Sequence, residues 1–130
     1  MTRERVKIEG RALGPYAPAV SAGGLVFVAG QIGWDFGAGA LVGGGVEAET
    51  AAALANLRDV LAAAGCGPAD VVKTTVFVTD IADGARVNGP YSEFFADDPP
   101  ARSLVQVVAL PAGALVEIEA VAAPHLDVGT

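Results

Sequence analysis

Between Pro99 and Val121 the sequence reads PPARSLVQVVALPAGALVEIEAV, and three ionisable side chains interrupt it: Arg102, Glu117 and Glu119. An arginine offers a planar fork of donors that grips a carboxylate at two points. A carboxylate can orient a water or move a proton. Together they suit a small anionic substrate. The remaining inventory is narrow: the single histidine, His125, lies near the C-terminus, and Cys66 is the single cysteine. Ser-His or Cys-His nucleophilic catalysis therefore lacks a base, and a thiolate zinc cage or a histidine-rich metal site lacks ligands. No cofactor is expected.

The elements that would hold these groups follow from the same stretch. Apolar and β-branched residues dominate both arms, and Pro111 with Gly113 punctuates the middle, which predicts two strands joined as a hairpin. With a side-chain period of two, Arg102, Leu104, Gln106, Val108 and Leu110 share one face, as do Leu115, Glu117, Glu119 and Val121. The opposite faces, from Ser103 to Ala109 and from Val116 to Ala122, are almost wholly apolar and want a core. If Leu110 pairs with Leu115, Glu119 lies opposite Gln106, roughly 13 Å along from Arg102 at strand rise. A site using both would need a neighbouring subunit, a bulge or a long ligand. Leu104, Val108, Leu110, Leu115 and Val121 on the charged face also predict burial against another copy, hence a closed homo-oligomer.

The rest of the chain reads as one unit. Val6 and Ile8 suggest a short first strand, and Gly10, Gly14, Pro15 and Pro18 make a loop carrying Tyr16. Gly23-Gly24 separates two apolar runs, 19–22 and 25–32, as a hairpin turn does. Residues 33–45 are glycine-rich without a phosphate-binding pattern and read as a flexible connection. Leu54, Leu57, Leu61 and Ala64 recur at helical spacing over 46–64, with Glu47 and Glu49 in the first turn and Gly65 as the stop. Residues 70–79 are rich in β-branched types and predict a well-buried strand. A second helix over 80–96 is weakened by Gly84, Gly89 and Pro90, so a break or 3₁₀ start is expected near Asp83.

The order β-β-β-α-β-α-β-β gives one α+β domain spanning residues 1–130, a six-stranded mixed sheet with two helices packed on one face. At 130 residues, 52% hydrophobic and 18% charged, the chain supports one folded core. Its net charge of −7, with eight Lys+Arg, disfavours nucleic-acid backbones as partners. The charged N-terminus lacks a secretory h-region and no apolar run is long enough to cross a membrane, so no membrane partner and a reducing cytoplasmic home are expected.

Six segments carry a family resemblance: GPY at 14–16, AGQI at 29–32, VVKTTVFVTD at 71–80, VN-x-x-Y-x-x-FF at 87–95, PARS at 100–103 and EIEA at 117–120. They resemble the Rid family, the reactive-intermediate deaminases also called the YjgF family. The resemblance implies a chorismate-mutase-like α+β fold, a homotrimer whose sheets form a central barrel, and ligand sites between subunits. It also implies hydrolysis of enamines and imines such as 2-aminoacrylate to 2-keto acids and ammonia, with a small anionic imine or keto acid as ligand. By that resemblance Arg102 binds the substrate carboxylate and Glu119 positions water and assists proton transfer. Tyr16, Asn88, Ala29, Gly30 and Leu104 line the pocket, Leu104 through its backbone. Many relatives have serine at the position of Ala29 and cysteine at that of Leu104. Losing a hydroxyl and a thiol makes this pocket more apolar and accommodates a larger substrate side chain.

Each of these residues also has a plainer role. Arg102 could serve an interface ion pair, Glu119 and Glu117 could be solvated or interface carboxylates, and Tyr16 and Asn88 could plug or cap local structure. A non-catalytic protein that binds small carboxylates, and an endoribonuclease or translation inhibitor, are the competing function classes. Acidity and the absence of a histidine pair speak against the last.

Overall fold

The computed structural model describes residues 2–11 and 14–124; His125 lies outside them. Strands β1 (Glu4–Val6), β2 (Ala19–Ala22) and β3 (Leu25–Gln31) form an antiparallel meander. Gly23 and Gly24 make its tight turn at positive φ, which glycine adopts without a Cβ penalty. A small hairpin, β4 (Trp34–Asp35) and β5 (Ala40–Leu41), precedes helix α1 (Val46–Ala63). Strand β6 (Val71–Val78), helix α2 (Gly84–Phe95), and strands β7 (Ala101–Gln106) and β8 (Val116–Ala122) complete the chain. The six-stranded sheet runs β1-β2-β3-β8-β6-β7, and only β6 and β7 are parallel.

Both helices cover one face. The α1 stripe of Ala53, Leu54, Leu57, Val60 and Leu61 packs with Val26, Val28, Val76, Val78, Val116 and Ile118, all buried. Burial alternates along β6 and β8 with the expected period of two. The 3₁₀ turn Ile81–Asp83 precedes α2 where the glycine and proline content weakened the helical pattern.

Three expectations are corrected. First, β7 and β8 are not a hairpin, because β6 lies between them, parallel to β7 and antiparallel to β8. The helical crossover through α2 brings β7 back alongside β6 in the same direction. β7 ends at Gln106, and residues 107–115, including the 3₁₀ turn Pro111–Gly113, carry the chain past the end of β6 to its other side.

Second, the faces of β7 are inverted. Arg102 pairs with Thr74 and Leu104 with Val76, which places them on the helix-covered face, while Ser103 and Val105 share the open face. Glu117 and Glu119 are on the open face of β8, beside Phe77 and Thr75. The open face carries Phe27 (46% exposed) and Val105 (41%) rather than Leu104 and Leu115, which pack against the core.

Third, residues 33–45 are not a featureless connection. The β4–β5 turn is held by Asp35, whose Oδ1 accepts from the Gly37 and Ala38 N–H groups at 2.9 and 3.1 Å.

Candidate active site

Arg102 stands on the edge strand β7, held from the helix side. Its Nη1 donates to Asn88 Oδ1 at 2.9 Å, and its guanidinium carbon lies 4.8 Å from the Tyr91 ring centroid. Tyr91 is buried, its hydroxyl 2.6 Å from Thr74 Oγ1 and its ring 4.7 Å from that of Phe95. The arginine thus rests on an anchored aromatic face, with one nitrogen fixed by an amide. The exposed Arg102 forms no ion pair among the described residues, so most of its fork is free to bind an anion. Leu104 continues the same face against Gly84, where an added Cβ would lie 3.4 Å from Leu104 Cδ2.

A second group forms at the junction of β3, β8, α1 and the segment following Gly14. The register between β3 and β8 shifts between Val28 and Gln31, leaving Ala29 and Gly30 as a bulge opposite Glu119. The bulge opens room for Glu117. A Cβ on Gly30 would stand 2.6 Å from Glu117 Cδ, so this carboxyl can occupy its place only because residue 30 is glycine. Glu117, Gly30 and Tyr16 line one cavity of about 380 Å³ together with Arg11, Trp34 and Phe36. Burial, and then the neighbouring Glu119 charge, push the Glu117 carboxyl above the usual carboxylate range.

The cavity wall is braced from α1. Asn56, buried among the apolar residues of the helix's inner face, donates through Nδ2 to the carbonyls of Ile32 at 3.0 Å and Trp34 at 2.9 Å. The Ala29 N–H donates to the Pro18 carbonyl at 2.9 Å, and its own carbonyl accepts from Gln31 Nε2 at 3.0 Å. Ala29 therefore shapes the bulge with its backbone. Tyr16 lies over Gly14, where an added Cβ would meet Cε2 of the ring at 2.7 Å.

Within one chain, then, Arg102, Asn88 and Leu104 come together, and Tyr16 and Gly30 come together with Glu117. Glu119 joins neither group. It is exposed in a shallow depression of about 150 Å³ with Phe27, Lys73, Thr75 and Val121. The sequence reading gave Glu117 only the role of a solvated or interface carboxylate and passed over Asn56 and Arg11. Asn56 had a signal, a polar residue between Leu54 and Leu57, and Glu117 depends on a bulge that no spacing reveals.

The family model described as Endoribonuclease L-PSP matches residues 7–124 of this two-helix, mixed six-stranded α+β unit. The chain belongs to that family, the Rid or YjgF proteins. Among its relatives is the human protein named 2-iminobutanoate/2-iminopropanoate deaminase, 49% identical over 111 residues, covering 85% of this chain and 81% of that protein. The crystal structure of the YjgF gene product of E. coli matches with a TM-score of 0.87 at 37% identity, covering 94% of this chain and 99% of that one. E. coli TdcF, solved with bound serine, also matches with a TM-score of 0.87, at 35% identity and with the same coverage of 94% and 99%.

Proposed function

We propose that this protein is an imine deaminase, hydrolysing 2-imino acids and their enamine tautomers, including 2-aminoacrylate, to 2-keto acids and ammonia. The observation that carries the reading is Glu117: a carboxyl of raised pKa against a glycine bulge, in an aromatic-lined cavity. The name of the human relative specifies the same chemistry for that protein. The amino acid bound to TdcF has the same carboxylate-bearing head as an imino acid.

In this reaction Arg102 grips the substrate carboxylate and Asn88 and Tyr91 keep its fork in position. Glu117, as carboxylate, takes a proton from a water whose oxygen adds to the imine carbon, and the C=N electron pair moves to nitrogen. The same carboxyl returns the proton to nitrogen. The carboxylate then moves the proton of the new hydroxyl to nitrogen, and the C–N bond breaks with its electron pair leaving on neutral ammonia as the oxygen's pair forms the carbonyl. An enamine first takes a proton at its β-carbon to become the imine.

Arg102 and Glu117 project from opposite faces of their own sheet, so the site is completed between subunits of a homotrimer. Support comes from the exposed Phe27 and Val105 on the open face and from the free edge of β7. The reading includes a reducing, cytoplasmic setting, consistent with the lone Cys66. A net charge of −7 weighs against an RNA substrate.

The test feeds purified protein with imines generated in situ by an amino-acid oxidase and follows keto-acid release against the spontaneous rate. Acceleration by wild type that disappears in Arg102→Ala is expected. Rates equal to the enzyme-free control across short, branched and polar imines would overturn the reading.

A further inference from the structure

Two polar side chains are buried on the inner face of α1, and the reaction above uses neither. Glu49 is 6% exposed and Asn56 8%. Two helical turns apart, they stand on the same side as Ala53, Leu57 and Val60. A buried carboxylate is unfavourable unless donors or a favourable field offset its desolvation. Glu49 lies in the first turn of α1, where the macrodipole favours negative charge, and its Oε1 accepts from the Leu115 N–H at 2.9 Å. Asn56 commits both hydrogens of Nδ2, one to the Ile32 carbonyl and one to that of Trp34.

These contacts fall on both flanks of the Ala29–Gly30 bulge. Leu115 is the last residue before β8 and stands two positions before Glu117; its carbonyl accepts from the Thr79 N–H at 3.3 Å. Ile32 follows the last residue of β3 and stands two positions beyond Gly30. Gly33, next in the chain, lies directly on the helix, where an added Cβ would be 2.8 Å from the Glu49 carbonyl oxygen. Helix α1 therefore holds the entry of β8 and the exit of β3, the two strand ends between which Gly30 and Glu117 meet. The sheet ladder does not supply that hold. Pairing of β3 with β8 runs from Val26 to Val28 and resumes at Gln31, opposite Ile118, leaving Ala29 and Gly30 outside it. Where a ladder is interrupted, the spacing of the two strands depends on what fixes their flanks.

We infer that Glu49 and Asn56 are positioning residues of the reaction: from α1 they clamp both flanks of the bulge and so hold the Glu117 carboxyl in its place against Gly30. This rests on the deaminase reading and deepens it, from the groups that react to the groups that align them.

Substitutions of matched shape test the clamp, with the imine made in situ from alanine as substrate. Glu49→Met keeps the length of the side chain and removes the acceptor, whereas Glu49→Gln keeps an acceptor without the charge. Glu49→Met is expected to lose about tenfold or more in kcat with KM within about threefold of wild type, because Arg102 and its support on α2 are untouched. Asn56→Leu, which removes both donors, should show the same split. Glu49→Gln should stay within about threefold of wild type in both constants. Leu61→Ala, a change to a fully buried core residue in the last turn of α1, is the control for destabilisation alone. It should lower the thermal midpoint and leave kcat near wild type.

Glu49→Met and Asn56→Leu variants that melt lower but keep wild-type kcat would make both residues supports of the fold alone and overturn the inference. A kcat loss in Leu61→Ala as large as that in Glu49→Met would assign the effect to general loosening, and a Glu49→Gln as slow as Glu49→Met would assign it to charge; either result overturns the clamp. Should Glu49→Met or Asn56→Leu fail to fold, Glu49→Asp, which keeps the charge and shortens the reach by one carbon, is read instead, with the same loss in kcat expected and an unchanged kcat counting against the clamp. If wild type is active and no variant departs from it, this inference alone fails; if wild type hydrolyses no imine, the deaminase reading itself fails.

Discussion

Arg102 and Glu117 stand on opposite faces of one sheet, on the two strands that flank β6. Two groups so placed cannot hold opposite ends of one small molecule in the same chain, but neighbouring copies can each supply one. Complementation tests this. Arg102→Ala and Glu117→Gln are each expected to be inactive alone. After unfolding and refolding as an equal mixture, about a quarter of the inter-subunit sites pair an intact arginine with an intact glutamate, so about a quarter of wild-type activity should return. A mixture that stays as inert as its components would place both groups in one chain's site.

Gly30→Ala isolates the role of the bulge. The added methyl would lie 2.6 Å from Glu117 Cδ, and the flexible glutamate can move aside more readily than the paired backbone. The protein should fold with the carboxyl displaced. Because misplacement by about an ångström can cost on the order of 100-fold, kcat is expected to fall by one to two orders of magnitude. The thermal midpoint, measured alongside, should fall by only a few degrees.

Most of the fold was legible because it depends on local signals. The heptad-like stripe from Leu54 to Leu61, the Gly23-Gly24 turn and the β-branched run from Val71 to Val78 each fix an element without outside help. The pairing of β7 was not, since strand adjacency is a tertiary choice: the crossover through α2 laid β7 against β6, and a plausible hairpin turn at Pro111–Gly113 became a wide connection. That one change inverted the face assigned to Arg102. Its position against Asn88 follows from the inversion. The choice between the two glutamates of EIEA turns on a related point. The family resemblance pointed to Glu119, whereas the bulge at Ala29–Gly30, opposite Glu119, brings Glu117 to the cavity.

The raised pKa of Glu117 sets a pH dependence with a definite sign. In the proposed reaction the carboxylate form takes the proton from water, so kcat/KM should fall as pH drops through the Glu117 pKa, at a pH above the ordinary glutamate value of about 4.3. Burial is the larger cause and the Glu119 charge the second. Glu119→Gln should therefore shift the acid limb to lower pH while the limb persists, and Glu117→Gln should abolish activity throughout. Stability moves the opposite way. A glutamate whose folded pKa is raised weakens the fold above its folded pKa and has no such effect below its unfolded pKa. Glu117→Gln should then melt higher than wild type at neutral pH, with the gap closing in acid. An acid limb that stays in place in Glu119→Gln would remove the glutamate pair from the account.

Tyr91 separates support of the arginine from support of the fold. Tyr91→Phe keeps the ring 4.8 Å beneath Arg102 but removes the hydroxyl that meets Thr74 Oγ1, leaving a fully buried threonine hydroxyl without that partner. The cost should be about 1–3 kcal/mol of stability, read as a lower urea midpoint, with KM within about threefold of wild type. Tyr91→Leu removes the aromatic face itself. A cation–π contact at an exposed arginine contributes about 0.5–1 kcal/mol, so KM should rise roughly two- to fivefold beyond that of Tyr91→Phe. In the proposed reaction Glu117 carries the chemical step, so both variants should keep the pH profile. If Tyr91→Phe raises KM as much as Tyr91→Leu, the hydroxyl anchor rather than the ring holds Arg102 in place.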